Sequence, residues 1–221
     1  MPYQWRFDVV WQALPFMLQG LGMTVLLTVA AMVLSLALGL LVSLARLSKS
    51  SLVTLPARAY TEFFRGTPFL VQLLWVYYSL PILTGLRFSA FLSGLIALAI
   101  NLGAFVAEIF RAGITSIERG QREAAIALGM TWWQMMRRVI LPQAIRRVIP
   151  PLGSIWVSLF KDTSLVSVIG VSELMYQAKA VSIDTYRPME VYTVLAVIYF
   201  VMTYPQARFV DRLFERHRVR A

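Results

Sequence analysis

Residues 9–45 contain no Asp, Glu, Lys or Arg, and that one run decides where the chain can fold. About 20 largely apolar residues cross a hydrocarbon core roughly 30 Å thick, so 9–45 is more than long enough. Residues 66–86, 88–107 and 191–207 are also free of charge, and 148–172 is broken only by Lys161 and Asp162. Across 221 residues, 58% are hydrophobic and 14% charged, too apolar a balance for a water-soluble domain of this length. Lipid offers the backbone no hydrogen bonds, so each span must satisfy its own as a helix. The expectation is an all-α membrane protein, one transmembrane domain over 1–221, with five transmembrane helices near 16–42, 66–86, 88–110, 148–170 and 189–207. The first run is far longer than the short apolar core of a secretion signal, which makes it an uncleaved span.

Charge then orients the bundle. Sixteen of the 21 Lys and Arg residues fall on one side of a five-span chain. They are Arg46, Lys49, Arg58 and Arg65 after the first span; Arg111, Arg119, Arg122, Arg137, Arg138, Arg146 and Arg147 after the third; and Arg208, Arg212, Arg216, Arg218 and Arg220 in the tail. Positively charged connections stay in the cytoplasm, which puts the N-terminus outside and the C-terminus inside. A net charge of +10 distributed this way suits anionic lipid rather than nucleic acid. With no cysteine, thiol catalysis and Cys-based metal sites are excluded, and the single His217 lacks zinc-binding companions. No G-x-x-x-x-G-K-[ST] phosphate loop occurs, so the chain has no such route to ATP.

The cytoplasmic connection 112–147 is helical in composition rather than loop-like. Residues 117–128 are rich in Ala, Glu, Arg and Gln, with Glu118 four residues before Arg122 in the order that favours an ion pair. Gly129 stops this helix; Thr131 caps a second one, which Pro142 is expected to close near Ile140. The expected result is a bent pair of short helices along the membrane surface. Ala124 and Ala125 offer a flat surface for close approach, flanked by Glu123 and the apolar bulk of Trp132, Trp133, Met135 and Met136. A docking knob and an amphipathic helix resting among lipid headgroups both fit this composition.

The order Glu123-Ala124-Ala125, Gly129, Val139, Leu141-Pro142 resembles the E-A-A-x-x-x-G and L-P signature of the membrane subunits of ABC importers. Val139 stands where the family usually has isoleucine. The stretches AEIFRAGITSIERGQREAAIALGM, ILPQAIRRVIPPL and FKDTSLVSVIG resemble the polar amino acid permeases within that family. The resemblance implies that Glu123, Ala124, Ala125, Gly129, Leu141 and Pro142 form an ATPase-coupling element seated in a separate ATP-binding subunit. It further implies two such subunits carrying ATP and Mg, no cofactor on this chain, and an extracytoplasmic amino acid-binding protein. The implied activity is non-catalytic: a permease importing a polar or charged amino acid across a bacterial inner membrane.

Ionisable groups at membrane depth are costly. Lys161 lies 14 residues beyond Arg147, about 20 Å at 1.5 Å per residue. Lys161 and Asp162 are adjacent and cannot pair across a helix; with Thr163, Ser164 and Ser167 they make a polar patch suited to a wet cavity. Contact with a solute's amino and carboxylate groups fits this patch, as does a structural bridge. Asn101 fits a bond across helices or a solute contact, and Glu108 fits an ion pair with Arg111. Five spans cannot enclose a path alone, so a second copy or a similar permease is expected. An ion-coupled secondary transporter is the alternative, disfavoured by the lack of internal repeats; an enzyme would need a His, Cys or carboxylate cluster.

Overall fold

The computed structural model describes residues 3–217, which are helical with short connections. The helices are α1 (Phe7–Arg46), α2 (Ser51–Gly66), α3 (Phe69–Thr84), α4 (Ala90–Thr115), α5 (Arg119–Ala127), α6 (Trp132–Ile169), α7 (Leu174–Thr185) and α8 (Pro188–His217). Arg218 and Arg220 of the basic tail lie outside the described residues. By length and composition α1, α4, α6 and α8 can each cross a membrane, and α2 with α3 makes a fifth span if the bent pair counts as one.

α1 packs along α4 through small residues that let the backbones close. A Cβ on Gly39 would stand 2.5 Å from Val106, and one on Gly103 would meet Leu38 at 2.9 Å. Around this contact Leu27, Ala31, Leu73, Leu98, Leu159 and Val166 form the largest core. Thr24, Thr28 and Ser35 are fully buried on α1, each hydroxyl donating to the carbonyl four residues earlier, whereas the equally buried Ser43 hydroxyl has no partner among the described residues.

The expected second span is broken. α2 and α3 meet at 109° across Thr67 and Pro68; proline has no N–H for a helix to use, and it holds the preceding residue extended, as Thr67 is at φ −116°, ψ 145°. Side chains satisfy the freed carbonyls. The Gln72 amide donates to the carbonyls of Phe64 and Thr67 at 2.9 and 3.0 Å and to the Thr67 hydroxyl, while the Asn101 amide donates to Gln72 and to Phe64. Asn101 is therefore spent on holding this elbow. Asn101→Leu leaves buried acceptors unpaired at about 1–3 kcal/mol, and the expected outcome is a lower melting temperature in detergent that Asn101→Gln does not restore.

At the opposite end from the arginine-rich connections, the stretch between the expected spans 148–170 and 189–207 is itself helical. α7 fills it, packed on α1 and α8 through Val10, Met17, Leu174, Ala178, Val181 and Val191. Glu173, fully buried, caps α7 by accepting from the Met175 and Tyr176 N–H groups at 2.9 and 2.7 Å. A second buried carboxylate, Glu190, accepts from the Tyr3 hydroxyl at 2.5 Å and the Arg6 N–H at 3.0 Å, tying the N-terminal residues to the start of α8. The hydrogen bond to Glu190 holds the Tyr3 phenol above its ordinary pKa.

Candidate functional site

The connection 112–147 builds a spur. α5 runs from Arg119 to Ala127 and ends at Gly129, whose φ of +68° is the left-handed conformation glycine adopts freely. There the Met130 N–H bonds the Ala125 carbonyl and the Gly129 N–H bonds the Ile126 carbonyl, the paired closure of a Schellman stop. Two residues on, Thr131 and Gln134 form a reciprocal capping box that starts α6. A small core of Ile117, Ala125, Met135 and Ile140 welds α5 to the first turns of α6.

Three expectations are corrected here. Pro142 does not close a second short helix; α6 runs on from Trp132 to Ile169. The chain widens into a π turn at Met136–Ile140, with the Leu141 N–H reaching the Met136 carbonyl, so Pro142 enters at the start of a fresh α segment where its missing N–H costs little. The bent pair along the membrane surface is thus one short helix braced against the end of a long one. Second, Ala125 is 2% exposed and faces this internal core, whereas Glu123 and Ala124 are exposed beside Ile126 and Leu128. Third, Glu118 and Arg122 form no pair: Glu118 precedes the first helical residue, and Arg122 donates instead to the Ile114 carbonyl at 3.1 Å.

Two bracing residues carry no clear sign in the sequence. Arg147 donates to the Ser116 carbonyl at 2.5 Å, and Gln143 donates to the Val139 carbonyl at 2.9 Å and to Gln121 on α5 at 3.3 Å. Neither residue type at that spacing announces a contact across a turn. Leu141 and Pro142 are exposed on the flank of the same spur.

Along α6 the spur leads to the polar break. Lys161 and Asp162 end its α-helical portion, and Thr163–Ile169 tightens into a 3-10 segment that Gly170 terminates at φ +86°. The hydroxyls of Thr163, Ser164 and Ser167 return to the carbonyls of Phe160, Lys161 and Ser164. Lys161 is exposed and Asp162 half-buried, and among the described residues neither side chain has a hydrogen-bond or ion-pair partner.

Glu108 is engaged elsewhere. Its carboxylate takes Arg111 on the same helix at 2.5 and 3.1 Å, Arg46 from the end of α1 at 2.6 Å, and Arg65 from α2 at 4.0 Å, while Arg46 also bonds Thr61. The expected Glu108–Arg111 pair is present, as part of a cluster locking three helices. Asn101 and Glu108 therefore spend their polar atoms inside the chain and do not converge with Lys161 and Asp162. Glu108→Gln leaves the arginines without their counter-charge; the expected loss is on the order of 2 kcal/mol, since the group is partly solvated, read as a lower melting temperature.

Residues 35–219 match the model of the binding-protein-dependent transport system inner membrane component family. The chain belongs to this family. Within it the chain is similar to amino acid ABC permeases: 37% identical to the glutamine transport system permease protein GlnP of Escherichia coli, over 98% of this chain and 99% of that one. It is likewise 37% identical to the arginine transport system permease protein ArtQ of Bacillus subtilis, over 89% and 90%. A solved amino acid ABC transporter with histidines superposes with a TM-score of 0.91 at 42% identity, covering 97% of this chain and 99% of that one. The MetNI methionine transporter shares the fold, with a TM-score of 0.70 at 19% identity over 90% and 96%. This ABC permease is a multi-pass membrane protein, and the comparisons give the ion-coupled carrier no support.

Proposed function

We propose that this permease is the membrane-spanning subunit of an ATP-driven importer of a polar or charged amino acid in a bacterial inner membrane, with its N-terminus outside and its spur in the cytoplasm. Two ATP-binding subunits carry ATP and Mg, a second permease copy or a homologue completes the path, and an extracytoplasmic binding protein delivers solute. The observation that supports this most is mechanical. Glu123 and Ala124 sit exposed on a helix welded to α6, and α6 runs on through its π turn to Lys161 and Asp162. A socket that moves Ala124 moves the polar break with it, and closure of the ATPase pair becomes a rearrangement of the path.

Lys161 and Asp162 are the residues assigned to the solute's carboxylate and ammonium groups, with Ser164 beside them. Because the chain has no cysteine, Ala124→Cys gives a unique crosslinking site. In proteoliposomes containing the full assembly, this site is expected to crosslink to the ATPase, with uptake strictly dependent on ATP on the spur side. Uptake by this chain alone, or crosslinks only to lipid with transport intact, overturns the proposal. For the path, Lys161→Ala and Asp162→Asn are expected to raise the uptake KM at least about tenfold, equivalent to about 1.4 kcal/mol of lost binding, while basal ATPase activity persists. Loss of folded protein with an unchanged KM in the remainder would make the pair a structural bridge.

A further inference from the structure

We infer that Lys161 and Asp162 pair with the opposite charges of a second copy of this chain, so that two reciprocal ion pairs between neighbouring α6 helices latch the path when no solute is bound. This inference rests on the symmetric pairing and the solute assignment proposed above, and it names what holds those two charges between transport events.

The outward face of α6 differs from the other outward faces of the bundle. Where α1 and α8 turn away from their neighbours they show Val33, Leu41, Phe200 and Val201, all exposed and suited to acyl chains. Over residues 151–160 of α6 the exposed residues are Ser154 and Ser158, and the next exposed residue is Lys161. Serines four apart lie on one face of a helix, and small residues at that spacing let two membrane helices approach closely. The same device closes α1 on α4 inside the chain, where Gly39 lies against Val106; on α6 it is turned outward. An exposed ammonium at membrane depth is badly matched to lipid, so this face meets protein and water.

The placement of the two charges selects the partner. The helix runs unbroken in α geometry through Asp162, so each residue advances about 100° around the axis. Measured from the line midway between Ser154 and Ser158, Lys161 lies about 40° to one side and Asp162 about 60° to the other. The basic connections orient every copy alike in the bilayer, so a two-fold axis relating two copies runs along the membrane normal. Rotation about such an axis preserves depth and exchanges the two sides. With the serine lines facing, Lys161 therefore stands opposite the partner's Asp162, and Asp162 opposite the partner's Lys161. Neither side chain has an ion-pair partner among the described residues, and removal from water is costly for each unless it is paired.

The latch also accounts for how a solute with both charges opens it. The solute's carboxylate replaces the partner's Asp162 on Lys161, and its ammonium replaces the partner's Lys161 on Asp162. One set of ion pairs is exchanged for another, and no bare charge is made at membrane depth. A solute lacking either group leaves one charge unpaired and is excluded by that cost.

The absence of cysteine makes the pairing directly testable. In the complete assembly in nanodiscs, Ser158→Cys is expected to form a disulfide between copies under mild oxidation, because a position on the symmetry line meets itself across the axis. Val197→Cys, exposed on the apolar face of α8, is expected to form none. Added to Ser158→Cys, Lys161→Asp sets like charges against each other and is expected to cut the disulfide yield about tenfold. Further addition of Asp162→Lys rebuilds both pairs in reversed order and is expected to restore the yield, which a merely local role for either residue does not predict. Melting temperatures confirm that the variants compared are folded; should Lys161→Asp not fold, Lys161→Gln removes the attraction without adding repulsion and is expected to lower the yield as well. No disulfide at Ser158→Cys, a yield indifferent to the loss of Lys161, or a folded double exchange whose yield stays low each overturns the inference. In those cases ATP-driven uptake of labelled polar amino acids by the wild-type assembly leaves the proposed function standing. Restored yield in the double exchange without any such uptake by the wild-type assembly upholds the pairing and overturns the function.

Discussion

Ala124→Trp is expected to leave the permease folded, with an unchanged melting temperature, and to suppress ATP-driven uptake by about 30-fold or more. The residue is exposed on α5, so the indole meets nothing in its own chain. In the proposed assembly it meets the ATPase's groove, where overpacking costs about 2 kcal/mol, and every 1.4 kcal/mol is about tenfold in occupancy. The neighbouring substitution separates two meanings of the same motif. Ala125→Leu drives extra side-chain carbons into the core of Ile117, Met135 and Ile140, so it is expected to loosen α5 from α6 and raise proteolysis between Gly120 and Gly129. Transport then fails because the spur no longer pushes as one piece. Equal losses of uptake with equal resistance to protease in both variants would refute this division.

The second large effect is on stability. Gly20→Ala places a Cβ 2.6 Å from both the carbonyl carbon and oxygen of Glu173 and 2.7 Å from the Leu174 nitrogen. These are backbone atoms, and they are fixed: the Leu174 N–H donates to the Thr24 hydroxyl at 3.1 Å, one turn along α1. The helix cannot back away without losing that bond and the cap beneath it. The expected penalty is about 3 kcal/mol, a fall in melting temperature on the order of 10 °C, measured by thermal unfolding of the purified protein. At Gly22, two residues on, a Cβ would meet no atom within 4 Å, and Gly22→Ala is expected to be neutral or slightly stabilising because alanine is the better helix former.

The parts of the fold legible in the sequence are those with long or purely local signals. Charge-free runs announce the spans, and the Thr131 cap and Gly129 stop are readable because each needs only a local conformation. The errors come where one residue's habit is overridden by its neighbours. Pro142 looks like a terminator, yet a π turn just before it removes the demand for its N–H. At the elbow beside Pro68 it is Gln72 and Asn101 that supply the bonds, and their role depends on a partner 29 residues away. Ala125 cannot be told from Ala124 by composition, because which of two adjacent alanines faces inward is set by Met135 and Ile140. Glu173 and Glu190, both fully buried, give no such sign in the sequence, since a lone acid in an outer connection looks like solvated loop. Lys161 and Asp162 stand out at once, since a charge in an oily run has no ordinary reason to be there.

The cluster around Glu108 has a consequence for how the chain enters its bilayer. Three guanidinium groups share one carboxylate, which leaves a surplus of two positive charges tied to three helices at once. In the proposed orientation, a membrane potential of about 100 mV, negative inside, opposes outward passage of that surplus by about 5 kcal/mol. With Arg46, Arg65 and Arg111 gathered on Glu108, inverting any one of the three helices in that orientation means breaking the cluster or carrying the other two against the field.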